Sequence, residues 1–128
     1  MASQSRKYRG MRTQAVVAKY LAANGWPFAE SAGSGRSGSD VTGTPDLAIE
    51  VKARTDFSPF AWLRQAETAA TTGRLPVAVV RPNGLGEDAG RYLAMVRLEQ
   101  LVALLHAAGY GDPTSTDPMT ATTERTTR

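Results

Sequence analysis

Between Ser39 and Ala53 the chain reads S-D-V-T-G-T-P-D-L-A-I-E-V-K-A, and no other stretch narrows the possible folds as far. Two short β-prone runs, Asp40 to Thr42 and Leu47 to Ala53, flank Gly43-Thr44-Pro45-Asp46, where glycine and proline punctuate the chain as a turn does. The pattern predicts a β-hairpin. With the turn centred near Pro45, Asp40 faces Glu50 and Val41 faces Ile49, and directly opposed residues on antiparallel strands hold their Cα atoms about 4.5 to 5.5 Å apart. Side chains alternate along a strand, so Glu50 and Lys52 project from one face while Leu47, Ile49 and Val51 project from the other. One face is apolar; the other carries Asp, Glu and Lys.

Two carboxylates at that range repel unless one is protonated or a cation lies between them. One adjacent lysine offsets the charge only in part, and a divalent metal would resolve the conflict. Asp46 shares a strand face with Glu50 but lies four residues away, about 13 Å along a strand. Asp40 is therefore the expected partner, provided that the register does not slip by one residue and turn it to the other face. The chain has no cysteine and a single histidine, His106, which excludes thiolate sites and zinc clusters. A metal here must be held by carboxylates and carbonyls, a hard donor set suited to Mg²⁺, with Mn²⁺ as a substitute.

Charge points the same way. The net charge is +3 over 128 residues, which permits a nucleic-acid partner without requiring one. Its distribution says more: Arg6, Lys7, Arg9 and Arg12 come with no acidic residue before Glu30, a positive pole suited to phosphates. A solvated basic terminus is the plainer alternative. No apolar run approaches the roughly 20 residues that span a bilayer, and no signal-peptide core follows Met1, so no membrane partner and a cytoplasmic location are expected.

The remaining elements read in order. Met11 to Asn24 is helical by the repeat of Val17, Ala18 and Leu21, and Asn24-Gly25 supplies a stop. Gln14 lies one turn before Val17, on the inward face. Trp26 to Ser31 suits a first strand. Ala32 to Ser39 is rich in glycine and serine with Arg36 inside it, either a plain connection or a loop whose small residues let an anion approach the backbone. Ser58-Pro59 opens a helix ending near Gly73, with Trp62, Ala66, Ala69 and Ala70 facing the sheet. Gln65 stands one turn beyond Trp62, as a surface glutamine or a ligand to the site. Pro76 to Pro82 is an apolar buried strand, Asn83 to Gly90 a turn-rich loop, and Arg91 to Val96 another strand. Leu98, Leu101, Val102 and Leu105 form a helical stripe, with His106 far from the acidic centre and read as structural or surface. Residues 1–110 are expected to form one domain. Gly111 to Arg128, with seven threonines and two prolines, is expected to be a disordered tail.

The E-x-K spacing with an aspartate ten residues upstream, the R-K-Y-R-G that leads into the first helix, the S-A-G-S-G loop at Ser31 to Gly35, the F-x-W-L-R-Q-A run from Phe60 to Ala66 and the P-V-A-V-V-R strand come in one order. Together they resemble the PD-(D/E)xK nuclease superfamily, and within it the Holliday-junction resolvases of archaea and their bacteriophage relatives, over roughly residues 6 to 108. The resemblance implies an α/β fold with a restriction-endonuclease-like core, a mixed central β-sheet flanked by helices. It implies a metal-dependent endonuclease that nicks branched DNA in pairs and therefore acts as a homodimer. Asp40 and Glu50, with the backbone carbonyl of Val51, would hold Mg²⁺, and Lys52 would orient water or neutralise developing charge. Gln65 would reach water or phosphate, and Arg6, Lys7, Arg9, Ser31, Ser34, Arg36 and Arg54 would meet the DNA backbone. Gln14 departs from the family pattern, in which this position looks like that of a metal-directed glutamate; a neutral amide puts a second metal in doubt. Two other readings stay open: a phage replication or recombination nuclease acting on flaps or ends, and a DNA-structure-binding domain that has lost cleavage.

Overall fold

The computed structural model describes residues 2–33, 38–53 and 58–112. Its elements run α1 (Ala2–Ala23), β1 (Glu30–Ser31), β2 (Val41–Thr42), β3 (Leu47–Lys52), α2 (Pro59–Ala69), β4 (Leu75–Val80), a 3₁₀ turn at Ala89–Arg91, β5 (Leu93–Met95) and α3 (Leu98–Ala107). The fold is mixed α/β, and the element order is the one the sequence pattern predicts. The chain divides into two compact units, Met1–Met95 and Val96–Arg128.

The expected hairpin is replaced by another pairing. Among the described residues β2 pairs antiparallel with β1, while β3 joins a separate sheet of order β3-β4-β5, parallel to β4, with β5 antiparallel to β4. The turn between β2 and β3 still reverses the chain. Gly43 adopts φ 79° there, and a Cβ at that position would stand 1.9 Å from the carbonyl oxygen of Phe28, so both conformation and space demand glycine. Thr44 is buried, its carbonyl accepts from the Leu47 N–H at 3.0 Å, and the Arg74 guanidinium clamps the turn by donating to the carbonyls of Thr44 and Leu47 at 2.9 and 2.6 Å. Turn chemistry is local and so legible. Strand partners are not local, and the apolar β4, delivered by the α2 crossover, offers β3 six paired positions, Leu47↔Leu75 to Lys52↔Val80.

β4 lies in the middle of this sheet, which fits its continuous L-P-V-A-V-V run. Pro76, which lacks an N–H, is tolerated because β5 pairs only with Ala78 to Val80 and leaves the Pro76 position beyond its end. The sheet separates two apolar clusters. On one face Ile49 and Val51 pack with Val17 and Ala18 of α1, Val41 and Tyr92. On the other, Ala78 and Val80 pack under Trp62 and Leu63 of α2, where full burial of one large apolar side chain contributes about 2 kcal/mol.

α1 begins nine residues before the predicted start at Met11. Its first turns carry no apolar period, but Ala2 to Arg9 contains neither proline nor glycine, so propensity extends the helix where pattern is silent. Gly25 at φ 124° ends it, with the Trp26 N–H donating to the Leu21 carbonyl at 2.9 Å. Ser58 and Pro59 do open α2, although the Ser58 hydroxyl makes no capping bond. In the second unit, α3 carries the predicted apolar stripe, and Leu98, Leu101, Val102 and Leu105 are all exposed.

Candidate functional site

The β3 edge away from β4 is where chemistry gathers. In a parallel ladder alternate residues direct both backbone groups to the same neighbour. The Lys52 carbonyl accepts from the Arg81 N–H at 2.9 Å, so the backbone groups of Ile49 and Val51 face the opposite edge. Asp40 occupies that edge. Its N–H donates to the Ile49 carbonyl at 2.8 Å, and its Oδ2 accepts from the Val51 N–H at 2.8 Å. The carboxylate thus stands where a ladder carbonyl would be in a regular hairpin, and it is pinned to the two residues that flank Glu50. The sequence expected Asp40 across from Glu50 through strand pairing; the neighbourhood is realised through one backbone bond and one side-chain bond.

Glu50 and Lys52 project to the α2 face, as alternation predicts. The Lys52 Nζ lies 3.0 Å from Glu50 Oε2, and the two side chains are only 18% and 10% exposed. Removal from water pushes the Glu50 carboxyl above its usual range, and the nearby Asp40 charge pushes it further, against the bond and charge of Lys52, which pull it down. Burial likewise raises Asp40, opposed by the Val51 N–H and the Lys52 charge. Two acids and one ammonium therefore share a half-dry site in which negative charge is in excess.

A cleft of about 750 Å³ opens against this edge, lined by Asp40 and Glu50 on one side and by Ala61, Arg64, Gln65 and Thr68 of α2 on the other. Gln65 lines the cleft opposite the acids and is also exposed to solvent, so both sequence readings of it stay open. Arg64 and Thr68 join it and were missed; the signal was present, since Ala61, Arg64, Gln65 and Thr68 recur at the i, i+3, i+4 spacing of one helix face. Asp46 is excluded from the site, because its Oδ1 accepts from the Trp26 indole Nε1 at 3.0 Å.

Other sequence candidates are placed differently. Gln14 is 9% exposed and its Oε1 accepts from the Ser31 hydroxyl at 3.0 Å, while Ser31 Oγ accepts from the Gly33 N–H at 3.3 Å. Both polar groups are engaged inside the α1–β1 interface. Arg9 lies on α1, where its Nη2 donates to Asn83 Oδ1 at 2.8 Å. The backbones of Arg6 and Lys7 lie on α1, with their side chains outside the described set; Ser34, Arg36 and Arg54 lie outside the described residues altogether.

Among the described residues no three His, Cys, Asp or Glu side chains gather into a metal cage. The donor set that is present, two carboxylates raised by burial, Glu50 further by the Asp40 charge, plus a carbonyl edge, fits a hard divalent cation that keeps several waters. No family model matches the chain, and no curated protein and no solved structure matches it. Among the described residues no helix is long and apolar enough to cross a membrane.

Proposed function

We propose that this protein is a metal-dependent, structure-selective DNA endonuclease built on a restriction-endonuclease-like core, and that it resolves four-way junctions by paired nicks. The single observation that supports this most is the excess of buried negative charge at Asp40 and Glu50 beside an open cleft. Asp40, Glu50 and the Val51 carbonyl would hold Mg²⁺ or Mn²⁺. When bound, the ion supplies Lewis-acid polarisation of a phosphodiester and of water.

The chain's own groups do the rest. Asp40 and Glu50 are partly shielded from bulk water, Glu50 the more so, which strengthens charge interactions in the cleft. The Lys52 ammonium, fixed by Glu50, meets charge that develops on the phosphate oxygens. Gln65 and Arg64 lie across the cleft, where an amide can hold a water and a guanidinium can hold a phosphate. Cutting two strands of a junction needs two such clefts, hence a second copy of the chain related by a two-fold axis.

The test mixes protein, Mg²⁺ and a synthetic four-way junction. Symmetrical paired nicks that disappear in Asp40→Asn are expected; ragged digestion of linear duplex, or product formation without a divalent cation, would refute the reading. A second reading, a DNA-structure-binding domain without cleavage, is favoured by Gln14, whose amide oxygen is already taken by Ser31. It predicts junction binding with no metal-dependent product at any concentration of Mg²⁺ or Mn²⁺.

A further inference from the structure

Three guanidiniums converge on the α1 face of the sheet, away from the acids. Arg9 and Arg12 come from α1, one turn apart, and Arg81 comes from the end of β4; with Tyr8 and Glu87 they line a cleft of about 440 Å³. Neutral acceptors hold two of them. Arg9 Nη2 donates to Asn83 Oδ1 at 2.8 Å, and Arg81 Nη1 donates to Thr13 Oγ1 at 3.1 Å. Thr13 is itself fully buried and bonded to the Arg9 carbonyl at 2.8 Å, so the Arg81 head is fixed from beneath. The Nε atoms of both Arg9 and Arg81 are buried with no hydrogen-bond partner. Arg12 alone has a carboxylate, Glu87 Oε2 at 2.7 Å, and that pair is well exposed to solvent. Among the described residues Glu87 is the one carboxylate ion-paired in the cleft.

Arginine cannot shed its proton, so an excess of guanidinium charge persists until an anion meets it. The forked N–H groups match phosphate oxygens. We propose that Arg9, Arg12 and Arg81 form a second phosphate site, and that it takes a backbone phosphate of the nucleic acid whose cleavage is proposed above, on which reading this inference rests. Two observations favour a polynucleotide over a free phosphate ion. Tyr8 presents a largely exposed ring at the rim, 62% accessible, a surface on which a base or sugar can lie. The basic run continues along the chain through Arg6 and Lys7, which suits a line of phosphates rather than one.

The site is tied to the acidic cleft through the sheet. Arg81 follows the last residue of β4, and its N–H donates to the carbonyl of Lys52, the last residue of β3. Lys52 projects to the α2 face and Arg81 to the α1 face. The two clefts therefore lie on opposite faces of one sheet, joined by the Arg81–Lys52 backbone bond.

The experiment measures junction binding by the full chain in Ca²⁺, over a range of salt, for the native protein and for Arg81→Ala, Arg9→Ala and Glu87→Gln, with inorganic phosphate as competitor. Arg81→Ala and Arg9→Ala should each weaken binding about tenfold and lower the salt slope by about one phosphate. Glu87→Gln, which frees Arg12, should tighten binding, and millimolar phosphate should compete weakly. Native affinity and slope in both arginine variants, or no gain in Glu87→Gln, overturn the proposal. Loss of affinity with an unchanged salt slope also overturns it, since that marks a merely structural role. Cleavage, scored in parallel with Mg²⁺, separates the two readings: arginine variants that bind like the native protein while it still cuts sink the second site alone, whereas salt-dependent binding without any cutting sinks the nuclease alone.

Discussion

The acidic cleft, against the free edge of β3, and the arginine cleft, on the α1 face, treat charge in opposite ways. In the first, two carboxylates are withdrawn from water against one ammonium, and both Asp40 and Glu50 respond by holding a proton more tightly. In the second, guanidiniums are held by an amide and a hydroxyl, and the one ion pair is left in solvent. A carboxylate in excess can be relieved from within by a proton or by a small cation. A guanidinium in excess has no internal remedy. The contrast therefore separates a site whose excess charge a proton or a small cation can relieve from a site whose charge persists until an anion meets it.

The largest effect tests the first half of that contrast. Asp40→Asn keeps an oxygen for the Val51 N–H but removes a carboxylate, and metal-dependent cleavage should fall about a thousandfold, the rate equivalent of some 4 kcal/mol, while junction binding is retained; a nicking assay on the two proteins decides it. Next in size is the scaffold. Gly43→Ala puts a methyl against the Phe28 carbonyl and forces a positive φ on a side chain, so it should lower stability by about 2 kcal/mol or more in urea unfolding. If it does not, the turn is not what presses Asp40 against β3.

Arg64→Ala removes a cation from the α2 wall of the acidic cleft and should reduce cleavage about tenfold, or about 1.4 kcal/mol, without altering the salt slope assigned to the opposite face. The smallest effect is in pH. Both buried acids bind protons more strongly folded than unfolded, so between the ordinary carboxylate range and their raised folded values the native state carries more protons. Their contribution to stability is best at the acid end of that window and declines as pH rises through it. Melting temperatures of native protein and Asp40→Asn should diverge with rising pH, the variant becoming the more stable, and Mg²⁺ should close the gap.

The parts of the fold that could be read beforehand are those set within a few residues. Alternation along Leu47 to Lys52 put Ile49 and Val51 on an apolar face and turned Glu50 and Lys52 to the other, and the structure agrees, packing the apolar face against α1. The same holds for the Ser58-Pro59 start of α2 and the Gly25 end of α1. The hairpin could not be read correctly, because a turn signal says that the chain reverses and not which strands will pair. β1 and β4 compete for β2 and β3, and they win. Similarly, Gln14 was legible as inward-facing, but its engagement by Ser31 depends on how α1 packs on β1.

By itself the amino-acid sequence determined which residues are apolar, which are charged and which local conformations glycine and proline require, since each of these acts over one or two turns of chain. It thereby named Asp40, Glu50 and Lys52 as a group. Only the tertiary structure decided how dry that group is, that Asp40 meets β3 through its side chain, and that Arg9 and Arg12 share a cleft with an arginine about seventy positions away. Burial and long-range charge depend on what the whole chain places nearby, and a linear pattern carries no distance between elements that meet only on folding.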